Sequence, residues 1–347
     1  MSGPTLADVA RAAEVSTATV SHALNGTGRL ADSTRRRVRE VATTLGYSSR
    51  RTPRTGKTLG VVVTTYAGSA WNFLDVPYFA RLLTAATATA HAHGYALTIL
   101  PTTCGVETPW HTLAVDGMLI LDSPTDDPVL RALRARDIPL VFDGRPVDPK
   151  PGDVWVDNDH IATTREVLGH LAASGARRIA LHAGYGDEHY TRAVTRTYEQ
   201  WCHEHGLTAR VLTFDPHDTS GHGFDAVFAA RACDAVYTIY DPGGRQVLAA
   251  AARHGLWIPD DLLLVCASED QTYAENDPPV STVTLHPATI AETAVTALVS
   301  QLSPTAPPPP PGALTVPAVL HPRHSSRCRA RPGSTRPGAS PPNTMTG

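Results

Sequence analysis

The stretch TLADVARAAEVSTATVSHALN, residues 5–25, decides how the chain is read. Leu6, Val9, Ala10 and Ala13 recur at helical spacing and form one apolar stripe, and Val15, Val20 and Leu24 form a second. The two amphipathic segments meet at a tight turn. Ser16 precedes the second segment and is placed to cap it, its hydroxyl accepting a backbone N–H that has no partner within the helix. What remains on the outer face of that helix, Thr17, Ala18, Ser21, His22 and Asn25, is small or polar. A helix that is apolar inside and small and hydrogen-bonding outside fits a DNA major groove. A plain helical hairpin whose polar face meets only water has the same pattern.

Charge separates the two readings. Residues 1–57 hold nine Arg and one Lys against four acidic residues, within a chain whose formal net charge is −3. A basic N-terminal block on an acidic body is the footprint of a nucleic-acid reader joined to another module.

The run DVARAAEVSTATVSHALNGTGRLADSTRRRVREVATTLGY, residues 8–47, resembles the DNA-binding headpiece of the lactose-repressor (LacI/GalR) family of bacterial transcription regulators, without a gap. The resemblance implies an all-α helix-turn-helix headpiece in which Thr17, Ala18 and His22 read base edges. It implies that Ser16, Thr19, Ser21 and Asn25 grip or pack beside phosphates, and that Thr34 and Arg35 open a third helix touching the DNA backbone. Two positions depart from the family. Glu14 stands at the usual turn glycine, so a non-glycine residue must take a positive φ there, at a cost of roughly 1 kcal/mol. His22 stands where many relatives have arginine, and a neutral imidazole donates one hydrogen bond where a guanidinium donates two.

Residues 33–47 are expected to form the third helix, with Val38, Val41, Ala42 and Leu45 inward, Gly46 as C-cap and Tyr47 packing back. This assigns 1–47 to the DNA-binding domain and 48–58, SSRRTPRTGKT, to a basic linker. In the family the linker becomes a hinge helix whose leucine wedges into the minor groove. Here it is shorter, and Pro53 falls near the wedge position, where a proline obstructs a short helix. Arg50, Arg51 and Arg54 could instead enter a narrow minor groove as an extended arm, or the segment could be a solvated tether.

From Leu59 the period changes. Apolar runs at 59–66, 96–100, 117–121, 139–143, 177–184, 210–214, 235–240 and 262–267 alternate with helical patterns at 77–93, 127–136, 161–173, 190–205 and 243–254. This rhythm predicts two doubly wound α/β lobes. Later segments continue the family resemblance and imply a two-lobed, periplasmic-binding-protein-like sensor domain over 59–322, with residues 323–347 as a disordered tail rich in Arg, Pro, Ser and Gly.

Ligands of open α/β sheets bind beyond the carboxyl ends of the strands, here between the lobes. On that rule, supplemented by the resemblance, the effector residues are Asp75, Tyr78, Phe79, Asp143, Arg145, Arg192, Arg196, Asp241 and Glu269. Acids and arginines around an aromatic stacking partner suit a sugar-like molecule. Glu269 lies in ASED, where the family has a GFDD-like motif, and the clamping arginine has no clean match, Arg192 and Arg196 both lying near it. Trp71 and Trp155 are cleft stackers or plain core, with Trp155 favoured as core because it sits within VWVD.

Five scattered cysteines without a C-x-x-C pair point to reduced thiols, and the sixteen histidines include no metal-binding motif, so neither a metal nor a cofactor is expected. The first residues lack a signal-peptide pattern and no apolar run reaches membrane-spanning length, which predicts a cytoplasmic protein. There is no P-loop, no G-x-S-x-G and no G-x-G-x-x-G after a strand, against an enzyme on this scaffold. The expected function is a sequence-specific repressor of transcription, dimeric because one headpiece reads half of a palindromic operator in double-stranded DNA, and responsive to a small-molecule effector. The alternative mode of control is a regulator with a lost or non-sugar ligand, acting constitutively or through a protein partner.

Overall fold

The computed structural model describes residues 4–25, 30–45, 47, 57–64, 73–100, 113–184 and 186–327. The linker arginines Arg50, Arg51 and Arg54, together with Gly46, Trp71 and the side chain of Asn25, lie outside the described residues.

The N-terminal module is three helices: α1 (Leu6–Ala12), α2 (Thr17–Asn25) and α3 (Asp32–Thr44). Thr5 caps α1 in a reciprocal pair with Asp8, each serving the other's backbone N–H. The expected stripes meet in a small core of Val9, Ala10, Ala13, Val20, Ala23, Leu24, Val38 and Ala42, with Tyr47 folded against it. Leu45, expected inside, is 38% exposed. It is the C-cap of α3, and the chain turns there so that the Tyr47 N–H reaches the Ala42 carbonyl.

The body has two six-stranded sheets. The first lobe contains β1 (Thr58–Val63), β2 (Ala96–Leu100), β3 (Gly117–Leu121), β4 (Leu140–Asp143), β5 (Val154–Asp157) and β11 (Gly312–Thr315), in the order β11-β5-β4-β3-β1-β2, all parallel. The second contains β6 (Ile179–Ala183), β7 (Val211–Thr213), β8 (Ala235–Thr238), β9 (Leu263–Ala267), β10 (Ser281–Thr284) and β12 (Val319–His321), in the order β12-β10-β9-β8-β6-β7. Only β12 runs antiparallel in that sheet. Strands such as GMLIL and LLVCA are apolar throughout because both faces of each sheet are covered by helices.

Helices α4 (Pro77–Ala92) and α11 (Pro287–Leu302) cover one face of the first sheet, and α5 (Pro128–Arg134) covers the other. In the second lobe α6 (His160–Ala173) and α7 (His189–Glu204) lie opposite α8 (Asp225–Ala229) and α9 (Asp241–Arg253). A short α10 (Thr272–Glu275) follows β9. The chain passes between lobes three times, from β5 to α6, from β10 to α11 and from β11 to β12.

The proline-rich stretch before Gly312 leads into β11, which the sequence pattern did not reveal. Residues 323–327, assigned to a disordered tail, are instead packed. Ser325 and Ser326 are fully buried, the Ser325 hydroxyl donating to Leu264 O at 2.7 Å and accepting from Ser281 N at 2.8 Å. Their polar composition reads as solvated, but the Ser325 hydroxyl is satisfied by backbone of β9 and β10, and the Ser326 hydroxyl by the Ser281 hydroxyl at 2.6 Å and His170 Nε2 at 2.7 Å.

Candidate functional site: a helix face and an interlobe cavity

In the headpiece the Ser16 hydroxyl accepts the Thr19 N–H at 3.1 Å, the cap expected at the start of α2. Glu14 takes φ +53°, the left-handed conformation its glycine-like position demands. Ser16, Thr17, Ala18 and His22 are exposed and Thr19 and Ser21 half-buried, so the small polar face stands free of the module's core. Thr34 and Arg35 are half-buried in the first turn of α3. Arg35 donates from Nη1 to the His22 carbonyl at 3.4 Å, which brings a guanidinium to the C-terminal end of α2.

Between the lobes lies a cavity of about 450 Å³, within the usual size of a small-molecule site. Asp75, Tyr78, Phe79, Asp143, Asp241 and Glu269 line it, as expected from their places beyond strand ends. Arg145, Arg192 and Arg196 do not. The Arg145 guanidinium sits 5.9 Å from the ring centroid of the half-buried Trp155, turned to that indole rather than inward. Arg192 is half-buried and Arg196 exposed on α7, one turn apart, while the buried stripe of that helix is Thr191, Val194 and Tyr198.

The same strand-end rule, applied to β3 and β5, would have found Asp122 and Asp157, which were missed. Tyr190, Phe214 and Tyr240 complete an aromatic wall, with Tyr190 and Tyr240 edge-on at 6.0 Å and Phe214 4.9 Å from Tyr240. Tyr190 is held by donating its hydroxyl to Ile239 O at 2.8 Å.

Asp241 is placed by the glycines that follow it. A Cβ on Gly243 would lie 1.9 Å from Thr238 Oγ1, so only glycine lets the first turn of α9 sit this close to β8. The Asp241 carboxylate accepts from the Ser268 hydroxyl, from Glu269 N at 3.0 Å and, across the lobes, from Tyr78 N at 3.3 Å. Burial nonetheless raises its pKa to about 6. Glu269 accepts from the Thr284 hydroxyl and from Leu285 N, and faces Arg81 of the other lobe at 3.8 Å. Thr125 N donates to Asp187 at 3.0 Å, a third link across the cleft.

On the first lobe, the Tyr78 hydroxyl donates to Asp143, 3.0 and 3.1 Å from its two oxygens. Burial raises Asp143 to about 7 against that hydrogen bond, with Asp157 adding to the rise. Asp122 is also raised well above the usual carboxylate range, by desolvation and by the carboxylates of Asp143, Glu188 and Asp157. Asp157 is different: His160 at 2.7 Å and the Arg145 N–H at 3.0 Å outweigh its burial and hold it below the usual range. The three described cysteines, Cys202, Cys233 and Cys266, are buried. Among the described residues no helix is long and apolar enough to cross a membrane.

Comparison with known proteins agrees with both halves. Residues 5–49 match the lacI family of bacterial regulatory proteins, and residues 168–326 match a periplasmic binding protein-like domain. The chain is 28% identical over 327 residues to the transcriptional repressor PurR of Aliivibrio fischeri, covering 86% of this chain and 91% of that protein. It is 28% identical over 302 residues to the regulator CelR of Thermobifida fusca, covering 81% and 86%. Among solved structures, a CelR–cellobiose complex superimposes with a TM-score of 0.70 at 24% identity, over 93% of this chain and 99% of the other. The lac repressor dimer bound to operator and the anti-inducer ONPF gives 0.66 at 20%, over 94% and 100%. The chain thus carries a lacI-family helix-turn-helix headpiece followed by a periplasmic-binding-protein-like two-lobed body, the arrangement of the DNA-binding transcriptional regulators to which it is similar along most of its length.

Proposed function

We propose that the protein is a dimeric transcriptional repressor of the cytoplasm whose affinity for a palindromic operator is set by a small molecule held between its lobes. The observation that carries this reading is the conjunction, in one chain, of a capped helix with a free, small, polar face and an interlobe cavity sized for a ligand. Thr17, Ala18 and His22 read base edges, and Ser16, Thr19, Ser21, Asn25, Thr34 and Arg35 hold phosphates. Arg50, Arg51 and Arg54 add positive charge from the linker. Asp75, Tyr78, Phe79, Asp143, Asp241 and Glu269 contact the effector. A ligand touching both walls changes the relative weight of open and closed lobes, by no more than its difference in affinity for the two.

The test is binding of the purified chain to the DNA upstream of its own gene, with and without a panel of sugars and amines. Sequence-specific retention, altered by a compound that also raises the melting temperature, is the expected result. Equal affinity for every duplex would refute the assignment.

A further inference from the structure

The interlobe cavity carries an unbalanced charge. Asp75, Asp122, Asp143, Asp157, Asp241 and Glu269 all line it, and among the described residues no Arg or Lys does. Residues 65–72 and 101–112, which follow β1 and β2, contain no Arg or Lys in their sequence either. Four of the six acids have neutralising or hydrogen-bonding company or lie exposed. Asp157 has His160, Glu269 has Arg81 and two donors, Asp241 has three donors, and Asp75 is open to solvent.

Asp122 and Asp143 are the exceptions. Asp143 is only 4% exposed, yet its two oxygens share a single hydroxyl proton, that of Tyr78. Asp122 stands beside it at the end of the neighbouring strand, its backbone N–H on the Asp143 carbonyl at 3.2 Å, and no donor to its carboxylate is found among the described residues. Two adjoining carboxylates, Asp143 buried and Asp122 half-buried, with no counter-charge among the described residues, are costly unless something supplies protons or positive charge. Across from them the wall is aromatic: Tyr190, Phe214 and Tyr240. A cation attached to a flat or ring-shaped body satisfies both walls at once, by charge at one end and by ring contact at the other.

We propose, resting on the reading of this cavity as the effector site, that the effector carries a protonated amine seated between Asp122 and Asp143, with its ring scaffold against Tyr190, Phe214 and Tyr240. The chemical class is an amino sugar or similar cyclic amine of about disaccharide size. The upward displacement of both carboxyl groups agrees with this, since among the described residues only the Tyr78 hydroxyl, on Asp143, donates to either carboxylate. Binding requires the carboxylates ionised and the amine protonated, so for an amine that keeps its proton affinity rises with pH through about 7. The groups facing the pair are Tyr78 from α4, Asp157 from the end of β5 with His160 and His189 beyond it, and Glu188 before α7.

The experiment compares the full chain's affinity for cellobiose and for the β-1,4-linked glucosamine disaccharide, which shares its skeleton but has ammonium groups in place of two hydroxyls. Kanamycin and spermidine serve as further amines, and galacturonate as an acidic sugar. The expected result is that an amine binds and stabilises the protein, and that spermidine, which keeps its protons at pH 8, binds at least tenfold more tightly at pH 8 than at pH 5.5. In the Asp122→Asn/Asp143→Asn double variant its affinity should drop at least tenfold. The wild-type pH dependence stands as a test even if that variant folds poorly. Stabilisation by cellobiose or galacturonate but by no amine, or amine binding indifferent to pH and to the double variant, overturns the charge assignment and leaves the effector cavity standing. Absence of stabilisation by any member of the panel, whatever its charge, counts against the cavity as the effector site and takes this proposal with it.

Discussion

The side-chain amide of Asn158 donates to the carbonyl oxygen of Val316 at 2.8 Å, and with its second N–H to that of Leu285 at 3.1 Å. These three residues lie on the three separate crossings between the lobes. One side chain therefore ties together all the segments about which the lobes can move. Replacing Asn158 by Ala leaves two carbonyl groups short of a donor in a region where Asn158 itself is only 8% exposed. The expected loss is about 1–3 kcal/mol in urea unfolding. Asn158→Asp should cost more, because a carboxylate would face both carbonyls with no proton to give. An Asp variant as stable as the parent at pH 8 would show that the crossings are not held this way.

The titration of the cleft makes a prediction for the ligand-free protein. The folded-state pKa of Asp143, about 7, lies above the ordinary value of 3.8. Between those values the folded chain holds a proton that the unfolded chain has released, so stability falls as pH rises across the window and levels off above it. Asp241, raised to about 6, acts in the same direction. Asp122, raised as well, adds to the same trend, and Asp143→Asn removes one of these three titrations. The variant should therefore gain stability relative to the parent as pH increases from 5 to 8, with Asp241 still contributing its share. A difference in unfolding free energy that stays constant over that range would contradict the assignment.

Much of this architecture was legible in the residues, and the failures have physical causes. Continuous apolar runs such as GMLIL mark buried parallel strands because no other element hides both faces of so short a segment. The strand-end rule reached Asp143 and Asp241, but charge alone misled it for arginine. A long guanidinium has several ways to be satisfied, and Arg145 finds Trp155 instead of the cavity. Ser325 and Ser326 were illegible for the opposite reason. Nothing local distinguishes a buried serine from a solvated one when its partners, Leu264 and Ser281, lie some forty to sixty positions away.

The turn of the headpiece offers a test of backbone strain. Glu14 is exposed and holds φ +53°, so its side chain contributes no core contact to offset the conformational cost. Glu14→Gly relieves roughly 1–2 kcal/mol of left-handed strain and gives back about 0.5–1 through the freer unfolded chain. A net gain of about 0.5–1 kcal/mol should appear as a roughly two- to fivefold slowing of amide exchange at Val9 and Val20 in the intact protein. Unchanged or faster exchange would mean that the positive φ is not costly here.

His22 and Arg35 separate reading from holding. His22 is exposed on the free face of α2, while Arg35 brings its charge to the end of that helix through the His22 carbonyl. Loss of a base-edge contact relaxes preference at one position, whereas loss of a phosphate contact weakens all sequences alike. At pH 8, His22→Ala should broaden the base preference in a selection from random DNA and leave the slope of log affinity against log salt nearly unchanged. Arg35→Ala should keep the selected sequence but reduce that slope by about 0.9, the contribution of one neutralised phosphate. If His22→Ala left the selected sequence intact, base recognition would rest on Thr17 and Ala18 without it, and a slope unaltered by Arg35→Ala would confine that arginine to bracing the helix.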